Sequence, residues 1–165
     1  GVAAGDEIDG KKFARNGCPS RGTVDIFIEP CLPAPRLVVL GASPVAKALS
    51  AFAPQFHWSV SATLARKKSH QQQFVVIATQ GQGDLDALKS ALSEKHDQVA
   101  FVGSRRKYAV LAKKLAAAGV NQSLIESVKA PAGLDLGAVT PEEIALSILA
   151  HFIQIKRHAV KPTHE

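Results

Sequence analysis

Residues Arg36-Leu37-Val38-Val39-Leu40-Gly41-Ala42-Ser43-Pro44-Val45-Ala46 read as a strand that runs straight into a helix. The apolar, β-branched run shows no polar alternation, which suits a strand covered on both faces, as in a parallel sheet. Gly41 marks its end, and Ala46, Leu49 and Ala53 continue at helical spacing until Pro54 closes the helix. The alternation repeats downstream. Residues 57–63 form a second strand of weaker apolar content, 74–78 a third and 98–102 a fourth. Asp84 caps a helix built on Leu85, Leu88 and Leu92. Tyr108, Leu111, Leu115 and Ala118 stripe another, with Gly119 just past its end. Asn121 opens a short helix carrying Leu124, Ile125 and Val128. Thr140-Pro141-Glu142-Glu143 is a capping box with proline at the first helical position, and Ile144, Ile148, Phe152 and Ile155 line the helix it opens. This order predicts an α/β fold, a doubly wound parallel sheet with helices on both faces.

Upstream, residues 1–21 are polar and glycine-rich and read as an irregular arm. Val24, Ile26 and Ile28 alternate as in a half-buried strand, and Pro30, Pro33 and Pro35 make a stiff connector. The expected division is an arm and strand over 1–30, a main domain over 31–160 and a tail over 161–165.

A chain of 165 residues with 46% hydrophobic and 21% charged residues is that of a globular domain and excludes collagen, coiled coil and wholesale disorder. Its apolar runs fall far short of the ~20 residues that span a bilayer, and no secretory leader is expected, since no basic segment followed by an apolar one opens the sequence. A soluble, cytoplasmic protein with no membrane association is the expectation. Lysines and arginines outnumber acids to give +6. Their distribution matters more than the sum. No acid occurs between Cys31 and Gly83, nor between Gln98 and Ile125, where Arg105, Arg106, Lys107, Lys113 and Lys114 fall. Such windows attract a phosphorylated small molecule or an acidic partner. Nucleic acid is not expected, since aromatics are only 5% and no aromatic–basic ribbon or Cys/His finger occurs.

Three segments could carry chemistry. Gly41-Ala42-Ser43-Pro44-Val45-Ala46 stands where a G-x-G-x-x-G/A turn would cradle a pyrophosphate at a helix N-terminus, with Ser43 in place of the middle glycine. A plain strand-to-helix turn is the alternative. Residues 61–65 lack the acid that holds the ribose of NAD, whereas Arg66-Lys67-Lys68 could meet the phosphate of NADP or form a solvated loop. Gly103-Ser104-Arg105-Arg106 ends the fourth strand beside the expected topological switch point, where ligands bind in such sheets. Two arginines in a first helical turn oppose the helix dipole, and a bound anion would reverse that cost. In Gly133-Leu134-Asp135-Leu136-Gly137, Asp135 is placed to bond ligand hydroxyl or amine groups or to brace a turn. Cys18 sits near Arg21, which favours thiolate, although a passive thiol is the default, and no structural disulfide with Cys31 is expected. The histidines lack metal-ligand spacing, so no metal is assigned.

Four ordered motifs, Val102-Gly103-Ser104-Arg105-Arg106, Ala118-Gly119-Val120, the run from Ala130-Pro131 through Gly133-Leu134-Asp135-Leu136-Gly137-Ala138, and Thr140-Pro141-Glu142-Glu143-Ile144-Ala145-Leu146-Ser147-Ile148, are together similar to the XdhC/CoxI/CoxF family. These are accessory proteins of xanthine dehydrogenase and related molybdenum hydroxylases. The resemblance implies a Rossmann-like fold preceded by a remnant of the family's first domain. It implies a non-catalytic chaperone that binds molybdenum cofactor (molybdopterin), supports its sulfuration by a cysteine desulfurase and assists its insertion into the apo-subunit of a hydroxylase. Carried over, Gly41, Ser43, Gly103, Ser104, Arg105, Arg106 and Asp135 would surround the cofactor, and Cys18 matches the cysteine of the family's N-terminal motif. An NADP-dependent oxidoreductase and a docking module for a hydroxylase subunit are the rival readings, with assembly as a homodimer left open.

Overall fold

The computed structural model describes residues 3–8, 10–15, 17, 19, 33–65 and 69–158. They fall in two compact units, Gly1–Cys31 and Leu32–Glu165. In the first, β1 (Glu7–Ile8) and β2 (Lys11–Lys12) pair antiparallel, Glu7 opposite Lys12. A hairpin thus stands where an irregular arm was expected, with Gly10 between the strands at φ +72°. Glycine reaches that conformation without steric cost. The strand expected over 23–28, Cys18 and Cys31 lie outside the described residues.

The second unit is built on four parallel strands, β3 (Arg36–Leu40), β4 (Ser59–Ser61), β5 (Gln73–Ile77) and β6 (Gln98–Phe101), in the order β4-β3-β5-β6. Leu37 opposes Val60 on one side and Phe74 on the other. Successive side chains alternate between two cores. Leu37, Val39, Phe74 and Val76 pack with α1 (Pro44–Phe52) and α5 (Pro141–His158). Val38, Val75, Ile77, Val99 and Phe101 pack on the opposite face with α2 (Asp84–Leu92), α3 (Arg105–Ala117) and α4 (Gln122–Ser127). Coverage of both faces is the physical reason β3 and β5 lack polar alternation, whereas the edge strand β4, Ser59-Val60-Ser61, keeps it. Trp58, Phe74 and Phe152 anchor the first core, with ring centroids 4.9 to 6.3 Å apart.

Local signals set the helix ends. Ser43 and Ser104 accept from the amides of Ala46 and Lys107, and Asn121 from Ser123. Glu143 accepts from the Thr140 amide while Thr140 Oγ1 accepts from that of Glu143, the reciprocal box read from the sequence. One expectation holds and one changes. The α-helix ends at Phe52, as Pro54 announces, and a 3-10 turn over Ala53–Phe56 follows it. Asp84 is not a cap: Gly83 at φ +80° holds that place, and the Asp84 carboxylate accepts from the Gly81 amide and the Thr79 hydroxyl. Among the described residues no helix is long and apolar enough to cross a membrane.

From β3 the chain passes to β4 on one side, then crosses back to β5 on the other. The topological switch therefore lies between β3 and β5, and β6 stands one strand away from it.

Candidate functional site

At the switch, two loop backbones press together. Gly41 sits at φ +118°, and a Cβ there would come within 2.6 Å of the Ala78 carbonyl carbon and 2.8 Å of Thr79 Cα. Its bare α-carbon is what lets the segments after β3 and β5 close on each other. Ser43 is buried, its hydroxyl 3.1 Å from the Ala46 amide that it caps. Both residues of the expected phosphate cradle are thus engaged within the chain, one in packing and one in capping. Arg66 to Lys68 lie outside the described residues.

A cavity of about 410 Å³ opens instead beside the carboxyl end of β6. Val102, Gly103 and Arg105 form one side, Lys129 and residues 131–138 another, and Ile144 and Ser147 of α5 the base. Its construction follows from three contacts. Lys129 pairs with Ala100 in a parallel bridge, accepting from the Phe101 amide at 2.9 Å and donating to the Val99 carbonyl at 2.9 Å. The Ala132 amide then donates to the Phe101 carbonyl at 3.0 Å, which lays the following loop along the sheet. Gly133, at φ +90°, presses that loop onto α5, where a Cβ would lie 3.0 Å from the Ile148 nitrogen. The Leu134 amide donates to the Ser147 carbonyl at 3.2 Å and holds the loop there.

Of the residues expected to bind a ligand, Gly103, Arg105 and Asp135 line this cavity. Arg106 and Ser104 do not. They border a separate groove with Lys107, Val110 and Leu111. Adjacent helical residues are about 100° apart around the axis, so neighbouring arginines project in different directions. The Gly103–Arg106 cluster, expected to converge beside the switch point, is divided between two surfaces and sits one strand from that point. Sequence reading gave no role to Lys129 or Ser147 and quoted Gly133 only as a neighbour of Asp135. A glycine before a motif acid was the available signal for Gly133, whereas Lys129 is brought in only by its bridge to β6.

The cavity combines two cationic side chains, Arg105 and Lys129, with one carboxylate, Asp135. One turn beyond Ser147, His151 has its Nδ1 buried with no hydrogen-bond partner among the described residues. Burial, and then the positive charge of Lys129, push the His151 pKa below the ordinary histidine value. Such a surround favours an anion, by charge-assisted bonds to guanidinium and ammonium, on a ligand that also offers donors to a carboxylate. Among the described residues no three His, Cys, Asp or Glu side chains gather as metal ligands.

A family model for the XdhC Rossmann domain matches residues 37–152. The chain is 30% identical to the uncharacterized protein YqeB of Escherichia coli (strain K12), in an alignment that takes in 93% of this chain and 35% of that protein. It therefore spans about a third of the length of this curated relative. A crystal structure of a xanthine dehydrogenase from Bacillus halodurans superimposes with a TM-score of 0.63 at 22% identity, over 80% of this chain and 45% of that one. That likeness bears on the fold.

Proposed function

This chain belongs to the XdhC family through its Rossmann domain, and we propose from that premise that it serves a xanthine dehydrogenase-type molybdenum hydroxylase as a non-catalytic accessory protein in the cytoplasm. Its cargo is the molybdenum cofactor, a pterin bearing a dithiolene and a terminal phosphate. The observation that carries this reading is the lining of one cavity by Arg105, Lys129 and Asp135. Arg105 and Lys129 supply charge-assisted donors for the phosphate, and the Asp135 carboxylate accepts from the N–H groups of the pterin edge. Gly103, Gly133 and Gly137 are interspersed among the apolar side chains of the lining, Val102, Leu134 and Leu136, against which the flat ring would rest. The protein holds the cargo while a cysteine desulfurase supplies sulfur, then passes it to the hydroxylase apo-subunit. Residues 1–30 form part of the family's first domain, and Cys18 is the thiol that this segment brings to the process.

An NADP-dependent oxidoreductase has less support, because Gly41 packs against Ala78 and Thr79 and Ser43 caps its own helix.

The test is titration of the purified chain with molybdenum cofactor released anaerobically from a molybdenum hydroxylase, and in parallel with NADPH. Saturable binding of the first and none of the second is expected, with Arg105→Ala and Lys129→Ala each weakening it by about tenfold or more. Tight NADPH binding with turnover would replace the accessory reading by the oxidoreductase one.

A further inference from the structure

The outward side of α3 is unusual in what it lacks. Arg106, Ala109, Val110, Lys113, Ala116 and Ala117 are all exposed, and no acid or uncharged polar residue stands among them. A solvated helix face ordinarily mixes both charges with polar groups. Here Arg106, Val110 and Lys113 recur at helical spacing and form one stripe. Val110 is 53% exposed in the middle of it. Beside the stripe lies the groove of about 400 Å³ bordered by Ser104, Arg106, Lys107, Val110 and Leu111. Its apolar side chains, Val110 and Leu111, lie beside Arg106 and beside Lys107, which Asp84 already pairs at 2.6 Å, and the surrounding sequence from Gln98 to Ile125 contains no acid. Arg106 also sits in the first turn of α3, where a cation opposes the helix dipole, so its own helix does not account for its charge.

We infer that this face of α3 docks a carboxylate-rich segment of a partner protein, which seats an aliphatic side chain in the groove against Val110 and Leu111 while its acids meet Arg106 and Lys113. Charge complementarity selects the acidic partner, and the apolar floor separates it from nucleic acid, whose phosphates have no use for an exposed valine. The surface is distinct from the cavity, because Arg105 faces one and Arg106 the other. Peptide docking and cargo binding are therefore separable by substitution.

A fluorescent synthetic peptide carrying paired glutamates and leucines at helical spacing tests it by anisotropy against the intact chain. Saturable binding is expected, weakened at least about tenfold by Arg106→Glu with Lys113→Glu, and likewise by Val110→Asp. The same peptide with its leucines changed to serines should bind about tenfold more weakly, since the anchor is lost while the charge is kept. Arg106→Glu with Lys113→Glu should leave the cargo titration unchanged, and Arg105→Ala should leave the peptide titration unchanged. No binding of the leucine peptide, or equal binding of the serine peptide, overturns the inference. So does single-stranded DNA that competes at equal affinity and is insensitive to Val110→Ser, which would assign the face to nucleic acid.

Discussion

The Lys107 ammonium lies 2.6 Å from the Asp84 carboxylate and so ties the first turn of α3 to the first turn of α2. Asp84 is only 5% exposed. Its burial works to raise the carboxyl pKa, but bonds from Lys107, Thr79 and Gly81 outweigh burial and hold it below the ordinary value. Asp84→Ala should cost about 2–3 kcal/mol in chemical denaturation, below the largest buried-pair losses because the Lys107 side chain is 40% exposed. A depressed carboxyl pKa stabilises the fold at pH values above the unfolded value and loses that contribution as pH falls through the folded one. Lys107→Met should therefore move the acid unfolding transition to higher pH. An unmoved transition would show that the pair does not set it.

Gly133 and Gly119 share a left-handed backbone, at φ +90° and +80°, but not their surroundings. A Cβ at 119 meets nothing within 4 Å, whereas one at 133 runs into Ser147 and Ile148. Gly119→Ala should cost about 1–2 kcal/mol from backbone strain alone. Gly133→Ala should cost more in the same thermal melt and also weaken cargo binding, because the loop must lift from α5. Equal losses, with binding intact in both, would contradict this.

Arg105 and Arg106 are neighbours in sequence and separate in space. Arg105→Ala should reduce molybdenum cofactor affinity by about tenfold or more, whereas Arg106→Ala should change it less than about twofold. Equal losses in isothermal titration would mean that both reach the same ligand.

His151 gives the fold a pH dependence of its own. Its pKa lies below the unfolded value of 6.5, so the native state binds fewer protons than the unfolded chain as pH falls through that value. Its contribution is present above that pH and declines below it. The melting temperature should drop between about pH 7.5 and pH 5.5, and His151→Gln should flatten that slope. An unaltered slope in the variant would place the effect elsewhere.

Much of the sheet was legible because its signals are local. The uninterrupted apolar run Arg36–Leu40 suits a strand covered on both faces, and the Thr140–Glu143 box closes on itself within one turn. Asp84 misled for a physical reason. It resembles a cap in sequence, but Thr79 and Lys107 engage it from other elements and Gly83 supplies the turn. The site was legible in part. Gly103 and Asp135 stand out beside strand and turn signals, and Arg105 follows from them. Lys129 does not, because its position depends on pairing with Ala100, a distant partner that no local pattern announces. The division of Arg105 from Arg106 needs the helical phase of α3 relative to the sheet.

The isolated rung between Lys129 and Ala100, followed by the Ala132–Phe101 bond, fastens one wall of the cavity to the edge of the sheet. An isolated bridge at the edge is less protected than the five-pair register between β3 and β5 in the interior, so this wall should open before that ladder does. Amide deuteration at Lys129 and Ala132 should accordingly outpace that at Val75 and Val76, and a seated guest should slow the former alone. A guest would then enter and leave while the four-stranded scaffold stays folded.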